Sequence, residues 1–583
     1  MKNLILIKKW MKINKINFLL VNRTDEFLNE YIASYAERLK WISNFSGSAG
    51  RAIITQNKSY LFVDGRYTLQ AKKEVNKKYF EILSLENFWL WLQKKIKKDF
   101  ILSIDPKLLN NYEFEKLKKI ISIRKAKISF LEKNPIDMFW LNQPSYPKSK
   151  AFLHDEKFSG KSLEKKLNII QMNLKKNSID FYILSSLDSI AWLLNIRGDD
   201  IPYTPLLLSY AIIPKKGKID FFVDHKKIVN IKKKLLKKVN FNKIDNLDSY
   251  INKINKNSII GMDKFKTNYQ FNRICKKNKL KILYLLDPCT YPKAEKNKTE
   301  IIGAKNANIR DGITITKFLY WLKNKVDSSK MDEISAANFL YNLRKKNKYF
   351  FSSSFDTISA IGKNSALPHY RVNINSNLKF KKNEIYLFDS GGQYYDGTTD
   401  ITRTVILGRP NNEQKNRFTR VLRGHIALCS AEFGPNIKGS SLDYLARKSL
   451  LEIGCDYEHG TGHGIGSFLS VHEGPQKISK FTVPSEGYLK EGMILSNEPG
   501  FYKKNKYGIR IENLIYIKKK TNNNFYFETI SFAPIDVDLI EIKLLNEKEK
   551  KWINNYHQKV YNIVGKHLNN LELRWLEKVT KPL

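Results

Sequence analysis

The first half of this chain carries one pattern twice. Trp41-Ile42-Ser43-Asn44-Phe45-Ser46-Gly47 and Trp192-Leu193-Leu194-Asn195-Ile196-Arg197-Gly198 both read W-[IL]-x-N-[FI]-x-G. Each is followed by a strand-like run and then by a second run ending in Phe-Val-Asp, at 62–64 and at 222–224. A repeat of this kind constrains the fold strongly, because each copy has to be a unit that packs an apolar face. The pattern predicts a duplicated α/β domain. Its first copy has strands near 18–21, 52–55 and 60–64, and its second has strands at 181–184 and 210–213. A helical spacing through Leu163, Leu167, Ile170 and Leu174 opens the second copy. A plainer reading, in which each Trp and Gly ends a helix over a sheet, is compatible with the same residues.

A chain of 583 residues exceeds what one core organises and suggests two to four domains. The proline-punctuated stretch 142–150 reads as a linker, giving domains at 1–145, 146–297 and 298–583. The third opens with a helical pattern from 301 to about 325 and closes with a Lys- and Leu-rich helical tail over 546–573. Hydrophobic residues make up 42% of the chain and aromatics 12%, enough for buried cores, which disfavours wholesale disorder.

The formal charge of +45 raises the question of nucleic acid, since clustered Lys and Arg bind by releasing counterions from phosphate. The lysines are instead spread along the whole chain in short runs, as at 94–98, 232–238 and 518–520, often beside Asn and Ile. That is a global drift in composition with solvated faces and turns, so no nucleic-acid partner is expected. Four cysteines without CxxC spacing point to a reducing compartment. The apolar run Leu4-Ile5-Leu6-Ile7 is too short for a signal-peptide core, and no later stretch reaches the roughly 18 apolar residues of a membrane span. The expectation is a cytoplasmic protein with no membrane partner.

The chemistry lies in the third region. Ile385-Tyr386-Leu387-Phe388 has the pattern of a strand buried on both faces and delivers Asp389 at its end. A Gly-rich connection leads to Asp396-Gly397-Thr398-Thr399-Asp400 and a second strand over 402–407. A hairpin of this shape brings Asp389 and Asp400 side by side, and two buried carboxylates repel unless a cation lies between them. Taken alone, an aspartate at a strand end is more often a turn former. His459-Gly460-Thr461-Gly462-His463-Gly464-Ile465-Gly466 follows. It lacks both the G-x-x-x-x-G-K-[ST] and the GxGxxG pattern of phosphate loops, and its two imidazoles suggest metal or substrate contact. Glu498 ends an apolar run just before Pro499, and a strand period of two places Arg510 and Glu512 on one face. An ordinary ion pair explains Arg510 and Glu512 when they are taken alone.

Together, four carboxylates and one imidazole (Asp389, Asp400, His463, Glu498 and Glu512) match the ligand set of two divalent ions about 3.5–4 Å apart. Oxygen-dominated ligation favours Mn²⁺, with Co²⁺, Fe²⁺ and Zn²⁺ left open. Such a pair would activate a bridging water and polarise a carbonyl, the chemistry of a metallohydrolase.

At these residues the chain resembles a known family. D-S-G-x-Q-Y-x-D-G-T-T-D-x-T-R-T, H-G-T-G-H-G-[IV]-G, V-H-E-G-P, S-N-E-P-G-[FY]-Y and R-I-E-N are similar to the aminopeptidase P, or Xaa-Pro aminopeptidase, family of the pita-bread superfamily. Tyr31-Ile32-Ala33, Phe45-Ser46-Gly47-Ser48-Ala49-Gly50, Asp64-Gly65-Arg66-Tyr67 and Ile190-Ala191-Trp192 resemble the two creatinase-like domains of its long form. Trp552-Ile553-Asn554-Asn555-Tyr556-His557 resembles that form's C-terminal extension. The resemblance implies an α/β (α+β) protein, with two creatinase-like N-terminal domains followed by a pita-bread catalytic domain. It implies that Asp389 binds one ion, that Asp400 and Glu512 bridge both, and that His463 and Glu498 complete the other site. Glu498 is then the proton acceptor, and His369 and His472 hold substrate and stabilise the oxyanion. His459 lines a proline pocket, Arg510 orients the carboxylates and Arg66 contacts the peptide. The implied substrates are peptides with proline at the second position, and the implied assembly is a homodimer.

Two rivals stand beside that reading. A prolidase cuts Xaa-Pro dipeptides with similar ligands, but the doubled N-terminal half favours the aminopeptidase. A metal-free binding module of the same fold would be expected to lack several ligands, and none is missing here. His425 sits on a helical pattern with Phe418, Val421, Leu422 and Cys429, and is expected to be packed rather than catalytic.

Overall fold

The computed structural model describes residues 2–324 and 330–583, so Lys325, where the opening helix of the third region was expected to end, lies outside the described residues. The chain divides into two compact units. One comprises residues 1–154 and 161–290, the other 155–160 and 291–583.

The N-terminal unit contains two six-stranded sheets of the same design. The first runs Phe80–Ser84, Ser59–Val63, Gly50–Ile54, Phe18–Asn22, Ile101–Ile104 and Lys127–Phe130 from edge to edge. The second runs Val239–Asn242, Ile219–Phe222, Tyr210–Pro214, Phe181–Leu184, Ile259–Met262 and Lys281–Tyr284. In both, the earliest strand is paired antiparallel to the next, which is antiparallel to a third, and the remaining neighbours are parallel. Strand order and direction coincide throughout, as a duplication requires.

The repeated motif has a backbone explanation. Helix Arg38–Ser43 ends on Asn44 at φ 65°, and helix Leu187–Leu194 ends on Asn195 at φ 51°. The shared Asn is the left-handed residue that closes each helix, a conformation asparagine tolerates better than most side chains. The shared Asp of Phe-Val-Asp caps a short 3₁₀ turn in each copy. Asp64 accepts from the Arg66 N–H at 3.0 Å, and Asp224 from the Lys226 N–H at 2.9 Å.

In the C-terminal unit, helix Lys298–Asn324 precedes a three-stranded sheet in which Glu384–Ser390 lies between Ile358–Ile361 and Ile401–Leu407. A six-stranded sheet runs Glu432–Phe433, Phe525–Thr529, Asn513–Lys519, Ile494–Asn497, Gly462–Gly464 and Glu473–Ile478. Helix Asn412–Cys429 packs its Phe418, Val421, Leu422 and Ile426 into a core with Ile509, Ile511, Tyr556 and Val560. The expected helical tail consists of two helices, Glu547–Val564 and Asn570–Val579. The second starts because Asn569 accepts from the backbone of Glu572 while the Glu572 side chain reaches back, a capping box that begins a new helix.

Among the described residues no helix is long and apolar enough to cross a membrane.

Candidate metal centre

Strand Glu384–Ser390 is apolar and buried over Ile385–Phe388 and carries Asp389 as its next-to-last residue. Asp389 stands opposite Thr402 in the antiparallel ladder with Ile401–Leu407, and Asp400 lies two residues before Thr402. Between the strands, Gly392–Tyr394 pairs with Gly397–Thr398 on one side and with Phe350–Ser353 on the other. The connection is therefore itself a small sheet, which holds both aspartates at one end of the longer hairpin.

The other carboxylates arrive from the six-stranded sheet. Glu498 follows strand Ile494–Asn497, and its N–H donates to Thr461 O at 2.8 Å. Glu512 occupies a two-residue break between Tyr507–Arg510 and Asn513–Lys519, so a single strand with a period of two does not span Arg510 and Glu512. At that break the chain changes partner strands: Arg510 is opposite Gly500, whereas the Glu512 N–H donates to Thr402 O at 3.2 Å. His463 lies in Gly462–Gly464, and a Cβ at Gly462 would stand 2.1 Å from Ser496 O. Glycine there serves close strand packing, not phosphate binding.

These elements converge. One ligand atom from each of Asp400, His463 and Glu512 lies within 4.8 Å of the others. His463 Nε2 is 3.6 Å from Asp400 Oδ2 and 3.5 Å from Glu498 Oε1. Two ligand atoms that share an ion at about 2.1 Å each sit roughly 3–4 Å apart, so these gaps fit a common cation better than a direct hydrogen bond. His463 Nδ1 is 3.1 Å from Gly464 O. Donation from that nitrogen leaves Nε2 with its lone pair toward the carboxylates, the orientation of an imidazole ligand.

The electrostatics ask for a cation. Burial, then the charges of Glu512, Asp389 and Glu498, push the Asp400 carboxyl well above the usual range. Burial, then Asp389 and Glu498, do the same to Glu512. Burial lifts Glu498 to about 7, with Asp389 adding to the rise and Arg510 opposing it. Arg510 Nη2 donates to Asp389 Oδ2 at 2.7 Å. Asp389 Oδ1 is buried with no hydrogen-bond partner, which is costly for a carboxylate oxygen unless an ion takes that position. The residues present fit two hard divalent ions.

Arg510 also anchors two side chains that the sequence reading did not single out. Its Nη1 donates to the Tyr502 hydroxyl at 2.7 Å, and that hydroxyl is 2.8 Å from His459 Nε2. His459 Nδ1 is 2.8 Å from Gly460 O, so Nε2 is left to accept from Tyr502. Arg510 Nε donates to Thr402 Oγ1 at 3.2 Å, and Thr402 Oγ1 donates to Glu512 Oε2 at 2.7 Å. Tyr502 closes the S-N-E-P-G-[FY]-Y run and Thr402 faces Asp389 across the hairpin, so motif and register were the available signals. The His472 ring stands edge-on to His463 with centroids 4.4 Å apart.

His369 is half-buried on the loop after the 3₁₀ turn Gly362–Ala366, beside Tyr370, whose hydroxyl donates to Glu333 Oε2 at 2.9 Å. Arg66 lies in the N-terminal unit, where it pairs with Asp64 at 2.6 Å and stands 5.5 Å from the Tyr67 ring centre. His425 is fully buried, with Nδ1 3.1 Å from Asn497 O and Nε2 3.2 Å from Asn513 Nδ2. Burial lowers its pKa to about 3, which makes it a neutral packing residue.

Residues 303–519 match the model of metallopeptidase family M24, and residues 523–583 match the C-terminal region of that peptidase. Residues 6–132 and 142–300 each match the creatinase/prolidase N-terminal domain. A probable Xaa-Pro aminopeptidase P of Laccaria bicolor is 36% identical over 595 residues, covering 99% of this chain and 92% of that protein. The crystal structure of X-prolyl aminopeptidase from Caenorhabditis elegans, described as a cytosolic enzyme with a di-nuclear active site, is 33% identical with a TM-score of 0.93. It covers 97% of this chain and 95% of that one. A prolidase from Pyrococcus horikoshii OT3, 26% identical with a TM-score of 0.51, covers 99% of its own length but 64% of this chain. The chain thus belongs to the Xaa-Pro aminopeptidase P family of M24 metallopeptidases. It is a hydrolase with two creatinase-like α/β domains ahead of a pita-bread domain.

Proposed function

We propose that this chain hydrolyses the bond between an N-terminal residue and a following proline, with Asp389, Asp400, His463, Glu498 and Glu512 holding two Mn²⁺ ions. The observation that carries the reading is the buried carboxylate cluster, with His463 Nε2 3.5–3.6 Å from two of its members and Asp389 Oδ1 unpartnered. Asp389 would help hold one ion, Asp400 and Glu512 would serve both, and His463 with Glu498 would help hold the other. When bound, such a pair supplies a bridging water that is acidic enough to attack at neutral pH, and Lewis acidity toward the scissile carbonyl.

The chain's own groups do the rest. Glu498, at the end of strand Ile494–Asn497 and beside His463, is placed to take a proton from the attacking water and return it to the departing proline nitrogen. An amide nitrogen leaves as an amine only when protonated, and the proline nitrogen is no exception. His472 and His369 donate to the carbonyl oxygen as it becomes an oxyanion. His459, fixed by Tyr502, lines the proline pocket, and Arg510 keeps the carboxylates in register. Arg66 contacts the peptide. The domains divide at 145/146 and 297/298, and the enzyme works as a cytoplasmic homodimer.

Metal-stripped protein reconstituted with Mn²⁺ and given an Xaa-Pro-Xaa tripeptide should release the first residue, and an Xaa-Pro dipeptide should be cut poorly. Preference for the dipeptide would move the assignment to prolidase. That reading has less support, because the prolidase match leaves about a third of this chain uncovered.

A further inference from the structure

Behind the aspartate hairpin lies a buried ion pair that the reaction does not use. Asp311, on helix Lys298–Asn324, accepts from Arg344 Nε at 2.6 Å and from Arg344 Nη2 at 3.2 Å, and both residues are fully buried. Arg344 is the last residue of helix Glu333–Arg344. The pair does not stop at itself. Arg344 Nη2 also donates to Ser390 Oγ at 3.1 Å, and Asp311 Oδ2 accepts from Thr399 Oγ1 at 2.9 Å. Ser390 directly follows Asp389, and Thr399 directly precedes Asp400. The same Thr399 hydroxyl accepts from the Gly392 N–H at 2.9 Å, and Tyr394 OH donates to Asp311 Oδ1 at 3.1 Å. At Gly391 a Cβ would lie 1.9 Å from Thr399 O, so the two arms of the hairpin are drawn together at this point.

We propose that Asp311 and Arg344 are positioning residues for the metal centre: one ion pair, reached from two helices, fixes the backbone immediately beside both Asp389 and Asp400. The inference rests on the metal reading above and adds to it. A buried ion pair contributes little net stability against an apolar replacement, so its value lies in specifying one arrangement. Here that arrangement is the separation of two carboxylates that repel each other. Outer groups that hold ligands typically change metal affinity by about 10–100-fold when removed. Both oxygens of Asp311 accept from Arg344, and each has a further partner, Tyr394 at Oδ1 and Thr399 at Oδ2. An amide at 311 retains only one acceptor oxygen and loses one of those links.

Three variants of the full-length, metal-stripped protein test this by calorimetric titration with Mn²⁺, alongside melting of the metal-free form. Asp311→Asn should weaken Mn²⁺ binding by about 10–100-fold, with activity recovering as Mn²⁺ is raised. Thr399→Val, which leaves the ion pair intact, should weaken binding in the same direction, and Thr399→Ser should restore it. A merely structural pair would lower the melting temperature of the metal-free protein and leave the Mn²⁺ affinity of the folded fraction unchanged. That result in both Asp311→Asn and Thr399→Val overturns the brace while the metal site stands. Wild-type protein that binds no Mn²⁺ overturns the metal reading, and the brace with it.

Discussion

Metal removal should make this protein sensitive to alkali in a way that metal addition cures. In the metal-free chain the buried Arg510 is ion-paired to Asp389 and opposes the rise in pKa of Asp400, Glu498 and Glu512. Glu498 is raised to about 7 from an ordinary value near 4.5. A carboxyl whose folded pKa is raised binds its proton more tightly in the folded than in the unfolded state. Its contribution to stability is therefore complete below about pH 4.5 and is lost as the pH climbs through about 7. At about 1.36 kcal/mol per pH unit, Glu498 alone costs about 3 kcal/mol over that window. Asp400 and Glu512, also raised by burial and mutual repulsion, act in the same direction. Between about pH 5.5 and pH 8 the Glu498 share of that loss is about 2 kcal/mol, so at roughly 2–4 °C per kcal/mol the melting temperature of the metal-free form should fall by at least roughly 4–8 °C. Bound Mn²⁺ neutralises the cluster and no longer competes with protons at the higher pH, so the metal-induced rise should be larger at pH 8. The assay is thermal melting with chelator and with excess Mn²⁺ at both pH values, repeated on Glu498→Gln, whose slope should be shallower. A metal-induced shift equal at the two pH values, or larger at pH 5.5, would refute the argument that uncompensated carboxylates dominate this site.

Two substitutions probe the hydrogen-bond chain. Arg510→Met leaves Asp389 and the Tyr502 hydroxyl without their donor, and should destabilise the metal-free protein by about 3–5 kcal/mol, read by urea denaturation. An unchanged midpoint would mean that Arg510 is not the counter-charge. Tyr502→Phe removes the link between Arg510 and His459; it should cost about 1 kcal/mol in stability and raise KM for an Xaa-Pro-Xaa peptide more than it lowers kcat. The opposite split would place His459 in the chemistry instead of the pocket.

Much of this architecture was legible because its signals are local. The apolar run before Asp389 marks its strand, the glycines around His463 mark a backbone that other strands approach closely, and the doubled motif marks the doubled sheet. The signal failed where partners are set by tertiary structure. Nothing near Glu512 announces that the chain changes sheets after Arg510, so the period of two was extended one turn of the pattern too far. Nothing near Asp311 or Arg344 shows that two helices deliver an ion pair to Ser390 and Thr399, because Thr399 lies 88 positions from Asp311 and Ser390 lies 46 from Arg344. Tyr502 and Thr402 became significant only once Arg510 was seen to reach both. The helical character of the tail follows from its Lys and Leu composition, and the Asn569 capping box sets where its second helix begins.

The closing residues of the two N-terminal helices, Asn44 and Asn195, bear on how old duplications can be found. The cores of the two copies need only side chains of suitable volume, so many substitutions there are nearly neutral and erase similarity. A backbone held at φ near 50–65° admits few residues at low cost. Two sheets with the same strand order are thus betrayed by a pair of helix ends, not by their interiors. Punctuation of this kind is what a search for diverged internal repeats should weigh most heavily.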